Sequence, residues 1–178
     1  AADANLILQP SLTIGRRILK HLISPQIQVL IDYLSEQGEQ KTMSVCDRLQ
    51  GAIGDQVAHL WSVTIDDQQA SAAIGALDAE KGLLLRDLIR HPSARSEQLS
   101  CVPLAIHRDG DSLMLPVDTE AVCLGDRILF CGTEQSERLL EATLNNGYTL
   151  HYLITGEDLP RGYFFSWLSQ TLKQQAPS

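Results

Sequence analysis

Residues 101–116 read Cys101-Val-Pro-Leu-Ala-Ile-His-Arg-Asp-Gly-Asp-Ser-Leu-Met-Leu-Pro116. Cys101 to His107 is a largely apolar run fit for a buried strand. Arg108-Asp109-Gly110-Asp111 follows, and its Asp-Gly pair tolerates the positive φ that a tight hairpin turn needs. Ser112 to Leu115 then returns as a second strand, and Pro116 stops it because proline has no N–H to give to a ladder. A β-hairpin is therefore the seed of the fold.

Downstream of the hairpin, Asp118 to Leu124 leads to a turn at Gly125-Asp126, and Arg127 to Cys131 forms another short strand. Thr133 is placed to cap a helix whose first turn carries Glu134 and Glu137 at the positive end of the helix dipole. Leu140 and Leu144 give this helix a buried stripe, and Asn146-Gly147 ends it. Tyr148 to Ile154 alternates in type and reads as a strand. Thr155 to Gly162 is a loop, and Tyr163 to Leu172 an apolar finish with helical character.

Upstream, Ser93 to Ser100 is polar and reads as an exposed loop. Leu83 to Arg90 suits one or two helical turns, ended by His91-Pro92. His59 to Ile65 alternates and is rich in β-formers, giving a strand with one buried face. The first third is helical. Leu12, Ile18, Leu19 and Leu22 line one helix, and Ser24-Pro25 starts a second as cap and first residue. In that second helix Ile27, Leu30, Ile31 and Leu34 recur at i, i+3, i+4 and i+7 up to Gly38. Met43, Cys46, Leu49 and Ile53 mark a third, whose end is weakened by Gly51 and Gly54. Asn5 to Leu8 is a short apolar strand stopped by Gln9-Pro10.

The 178 residues carry 14 basic and 22 acidic side chains, a net charge of −8, and are 44% hydrophobic. Such a chain is globular and buries roughly 70% of its unfolded surface. Each half, split at residue 89, holds seven basic and eleven acidic residues, so neither forms the basic patch that nucleic-acid binding needs. No run approaches the length of a membrane span. Cys46, Cys101, Cys123 and Cys131 show no C-x-x-C pair and no nearby His at ligand spacing, which suits buried reduced thiols and no metal site.

No G-x-S-x-G elbow, H-E-x-x-H pair or phosphate-loop motif occurs. The five histidines stand singly. Arg86, Arg90, His91 and Arg95 form the one local basic cluster, with Arg86 and Arg90 at helical spacing. It is either a solvated face or a site for an anion or nucleotide phosphate. His107, Asp109 and Asp126 are the nearest set of acid-base groups, but nothing pairs a nucleophile with a base, which favours binding over catalysis.

The segment Val102 to Leu144 also resembles a known family. Its apolar strand, Arg108-Asp109-Gly110 hairpin, Pro116 to Thr119 segment, Gly125-Asp126 turn, strand ending at Gly132-Thr133 and following helix resemble, in that order, the C-terminal RCK domain (TrkA-C) of bacterial potassium channels and transporters. The likeness covers about residues 59–146. Ala2-Asp3-Ala4-Asn5-Leu-Ile-Leu-Gln-Pro10 is similar to the last strand of the preceding Rossmann domain, and the helices after it to the family's crossover helices. In the family the region of the 90–100 loop lies near a small-ligand cleft, and the loop is longer here.

The resemblance implies an α+β fold with a small mixed sheet. It divides the chain into the tail of an N-terminal RCK domain with dimerisation helices (1–58), an RCK-C-like domain (59–146) and a strand-helix extension (147–178). The chain, which opens without Met, is expected to be the cytosolic end of a longer one, with any nucleotide or NAD(H) site upstream and no cofactor of its own. The implied function is that of a non-enzymatic, ligand-sensing regulator at the cytoplasmic side of the bacterial inner membrane. It would form a homodimer or higher oligomer through Ile27, Leu30, Ile31 and Leu34 and act on a potassium channel or transporter. Arg86, Arg90, Arg95 and Arg108 are the ligand-binding candidates. A structural interaction module without a ligand, and a small acid-base enzyme, are the alternatives.

Overall fold

A computed structural model describes residues 25–77 and 82–158. The expected strand at Asn5 to Leu8, the helix from Ser11, the Ser24 cap and the elements after Asp158 lie outside the described residues. The order is α1 (Pro25–Gln37), α2 (Glu39–Ile53), β1 (His59–Thr64), α3 (Ser71–Leu77), α4 (Leu85–Leu88), β2 (Arg90–His91), β3 (Ala94–Gln98), β4 (Cys101–Arg108), β5 (Asp111–Met114), β6 (Arg127–Gly132), α5 (Glu134–Leu144) and α6 (Gly147–Thr155). The chain is thus α+β. Four strands form one sheet in the order β1-β6-β4-β5, and β2 and β3 form a separate ribbon. All pairings within these sheets are antiparallel, a correction to the mixed sheet expected from sequence.

The hairpin read from Asp109-Gly110 is present, with both residues at positive φ (51° and 91°) and Arg108 opposite Asp111. Along β4 the register against β6 slips between Pro103 and Ala105. This bulge sits beside a residue with no N–H to donate. It turns Leu104 and Ala105 to one face of the sheet, while Cys101 and Ile106 serve the other. Both faces are therefore covered, and β4 is buried from Cys101 through Ile106.

On the first face Trp61, Val63, Ile128 and Phe130 pack with α3, α4, α5 and α6. On the second, Val102, Leu104, Leu129 and Cys131 pack with Val45, Leu49 and Ile53 of α2 and with Leu30 and Leu34 of α1. Two of the four residues expected to meet a partner chain are thus buried within their own, at 1% and 3% exposure. Ile31 is half-buried at the edge of that core. The described helices before residue 58 share a core with the sheet and do not stand apart from it.

Three further segments differ from expectation. The supposed loop at 93–100 contains β3, whose residues are half-buried or exposed, so it lacks the apolar alternation that marks a strand. Helix α4 ends at Leu88, and Arg90 already belongs to β2, opposite Gln98. The supposed strand at 148–154 is helix α6. Asn146 does not only end α5: its side chain accepts hydrogen bonds from the Tyr148 and Thr149 amides, and the helix it starts buries Leu150 and Leu153 at i, i+3 spacing. The Thr133 cap is as expected, its hydroxyl accepting from the Ser136 amide at 3.2 Å. Among the described residues no helix is long and apolar enough to cross a membrane.

Candidate functional site

Among the described residues, a cleft of about 890 Å³ that could hold a ligand lies between α4, the β2–β3 ribbon, the 118–119 segment and the end of α6. Three of its lining residues are the expected arginines Arg86, Arg90 and Arg95. They gather by different routes. Arg86 projects from the exposed side of α4, which is anchored below by Leu85 and Leu88, both fully buried. Arg90 comes from the first residue of β2 and Arg95 from β3, so tertiary placement, not a shared helical face, unites them.

Two of the three are held by backbone. Arg90 Nη1 donates to Asp87 Oδ1 at 2.6 Å and to the Leu153 carbonyl at 2.7 Å. Arg95 donates from Nε to the same Leu153 carbonyl at 2.8 Å and from Nη2 to the Ile154 carbonyl at 3.1 Å. Those carbonyls end α6, where the last turn has no following amides to satisfy it and the helix dipole is negative. Gly156 closes the helix at φ 84°, and a Cβ there would stand 3.5 Å from Arg95 Nη1. Asp87, itself buried, also accepts from the Leu84 amide at 3.2 Å and so ties Arg90 to the start of α4.

The opposite wall carries Asp118 and Thr119. Asp118 makes a long, exposed contact of 3.5 Å with Arg48 of α2. A smaller cavity of about 350 Å³ adjoins it, sharing Gln98 and Asp118 and reaching Arg48 and Ser100. Ser96, Gln98, Thr119 and Tyr152 add neutral hydrogen-bonding groups to the main cleft. Sequence reading missed these four. Tyr152 was legible only with α6 known as a helix, and the others carry no signal until the ribbon is folded.

Arg108, the fourth candidate, lies elsewhere. Its guanidinium grips Asp126 through Nε and Nη2 and reaches the Ala121 carbonyl at 2.7 Å. Binding to a fully buried carboxylate holds it in the scaffold, apart from the cleft that gathers the other three candidates. The same pairing occupies Asp126, while His107 Nδ1 meets Ser112 Oγ at 2.7 Å and Asp109 sits in the hairpin turn. His91, the remaining member of the basic cluster, accepts from the Ser93 amide within its own turn.

The thiols are packing groups. Cys101 and Cys131 are buried, and burial pushes each up to about 12, with Cys131 adding to the rise at Cys101. Cys46 is also buried, Cys123 is half-buried, and none is in a disulfide. No family model and no curated protein matches the chain.

Proposed function

We propose that the chain is a ligand-sensing regulatory module of the C-terminal RCK kind, acting on a potassium channel or transporter at the cytoplasmic side of a bacterial membrane. The observation that carries this is the arginine-lined cleft, built where α4, the β2–β3 ribbon, the 118–119 segment and α6 meet. A molecule held there touches elements far apart in the chain. It shifts the module only by binding one arrangement of them better than another, and couplings of this type are typically ~1–3 kcal/mol. The order of strand, hairpin, Gly125-Asp126 turn, β6 and capped α5 supports the kinship.

The test is transport. Removing this module from its parent system should change rubidium uptake or its dependence on external potassium, and an unchanged uptake curve would overturn the proposal. A structural module without a ligand is the second reading, favoured by the bonds that already tie Arg90 and Arg95 to α6. In that case a thermal-shift panel of nucleotides, NAD(H), inorganic anions and divalent cations leaves the melting temperature where it is.

A further inference from the structure

We infer that the Arg86, Arg90 and Arg95 cleft takes a small multivalent anion of the phosphate type, and that the anion competes with the C-terminus of α6 for the Arg95 guanidinium. The inference deepens the regulatory reading and rests on it. Three guanidiniums line the cleft with the carboxylate of Asp118, Arg90 being already paired with Asp87 behind it, so Arg86 and Arg95 carry the uncompensated charge. Guanidinium is the side chain whose planar fork fits phosphate oxygens two at a time. The hydroxyls of Ser96, Thr119 and Tyr152 are on hand for the oxygens the arginines leave unmet. The chain as a whole carries a charge of −8, so this concentration of positive charge is local and runs against the general field.

The second part follows from who already holds the arginines. The Leu153 carbonyl accepts from both Arg90 and Arg95, and Ile154 from Arg95 alone. A phosphate is a stronger acceptor for a guanidinium than a neutral carbonyl is. Anion binding therefore draws Arg95 off the last turn of α6, while Arg90 stays paired with the buried Asp87 carboxylate, and the turn loses part of its cap. By linkage, anything that pulls on the end of α6 changes the affinity for the anion by the same factor. Tyr152 and Gly156, which line the cleft, belong to the part of the chain beyond the span of the RCK-C resemblance.

The probe is pyrophosphate, titrated calorimetrically into the whole purified chain at constant ionic strength, with citrate as a carboxylate comparison. Saturable binding is expected. The Arg86 side chain is exposed and makes no hydrogen bond or ion pair among the described residues, so Arg86→Ala should stay folded yet weaken binding by about tenfold or more, the loss of one charge-assisted contact. Arg86→Gln serves as a second variant if the first misfolds. Arg138→Ala, which removes an exposed pair with Glu134 on α5, should bind like the parent.

Amide exchange at residues 153–156 should quicken with pyrophosphate in the parent and not in the Arg86 variants. No saturable binding at millimolar pyrophosphate, equal binding by the Arg86 variants, or binding of citrate alone would each overturn the anion assignment. Binding without faster exchange would overturn the competition. If uptake depends on the module but pyrophosphate does not bind, the site fails and the regulatory reading stands. If pyrophosphate binds but uptake ignores the module, the reverse holds.

Discussion

Arg108 and Asp126 form a two-point ion pair, Nε to Oδ1 at 2.7 Å and Nη2 to Oδ2 at 2.8 Å, across the end of β4 and the turn before β6. The carboxylate is fully buried and also accepts from the Cys123 amide at 2.8 Å. The pair fastens the long connection between β5 and β6 onto the sheet. Arg108→Ala leaves a buried charge with only one amide, and should cost about 3 kcal/mol in urea unfolding. Arg108→Lys should recover only part, since an ammonium does not match both oxygens at once.

Gly132 sits where β6 passes closest to the start of β4. A Cβ there would fall 2.5 Å from the Ser100 carbonyl and 2.7 Å from Cys101 Cα, too near for backbone that has no side-chain freedom to yield. Its φ is not in the left-handed region, so space and not conformation demands glycine. Gly132→Ala should therefore destabilise by about 2–3 kcal/mol, read as a lower urea midpoint.

Two of the three buried thiols give stability a basic limit. Cys101 and Cys131 hold their protons in the folded chain up to about 12, against an ordinary value of 9.0. Above pH 9.0 the unfolded chain releases these protons and the folded one does not, so unfolding gains as pH rises. Stability should fall between these limits, by up to roughly 4 kcal/mol per thiol at the upper one. Iodoacetamide at neutral pH should modify half-buried Cys123 first, and Cys101 and Cys131 only on unfolding. Equal labelling rates at native conditions would contradict this burial.

A partner surface on α1 has to be tested at Ile31. Leu30→Asp puts a charge into the core formed with Leu49 and Leu129, and should unfold the chain whatever its oligomeric state. Ile31→Asp should spare the fold and lower the mass seen by light scattering if α1 meets a second copy. An unchanged mass would remove this face from the interface.

Local chemistry that acts within a few residues was legible in the sequence. Asp109-Gly110, Gly125 at φ 84° and the Thr133 cap each need only their neighbours to be read. Helix α3 carries only Ile74 and Leu77 as large apolar residues among small ones, too few to show a period. In α6 the residues Tyr148, Leu150, Tyr152 and Ile154 alternate as a strand would, and the Asn146 cap with burial of Leu150 and Leu153 decides for helix. The β2–β3 ribbon was hidden because its polar strands lie over the surface. The basic cluster was visible, but its tie to α6 was not, because the acceptors at Leu153 and Ile154 are backbone carbonyls that no residue type announces.

The strand order β1-β6-β4-β5 has a consequence for how the molecule assembles. His59 opens β1, yet its partner is Gly132, 73 residues later, and among the described residues β6 is the strand that joins β1 to β4. Until residue 132 has left the ribosome, β1 lacks the partner it has among the described residues, and α2 lacks the Leu129 and Cys131 it packs on. Closing so long a loop is costly and is repaid only when the sheet forms on both sides of β6 at once. Synthesis therefore delivers the strands of this sheet in one order and pairing joins them in another, with β6 the last of them to emerge and the one that links β1 to β4.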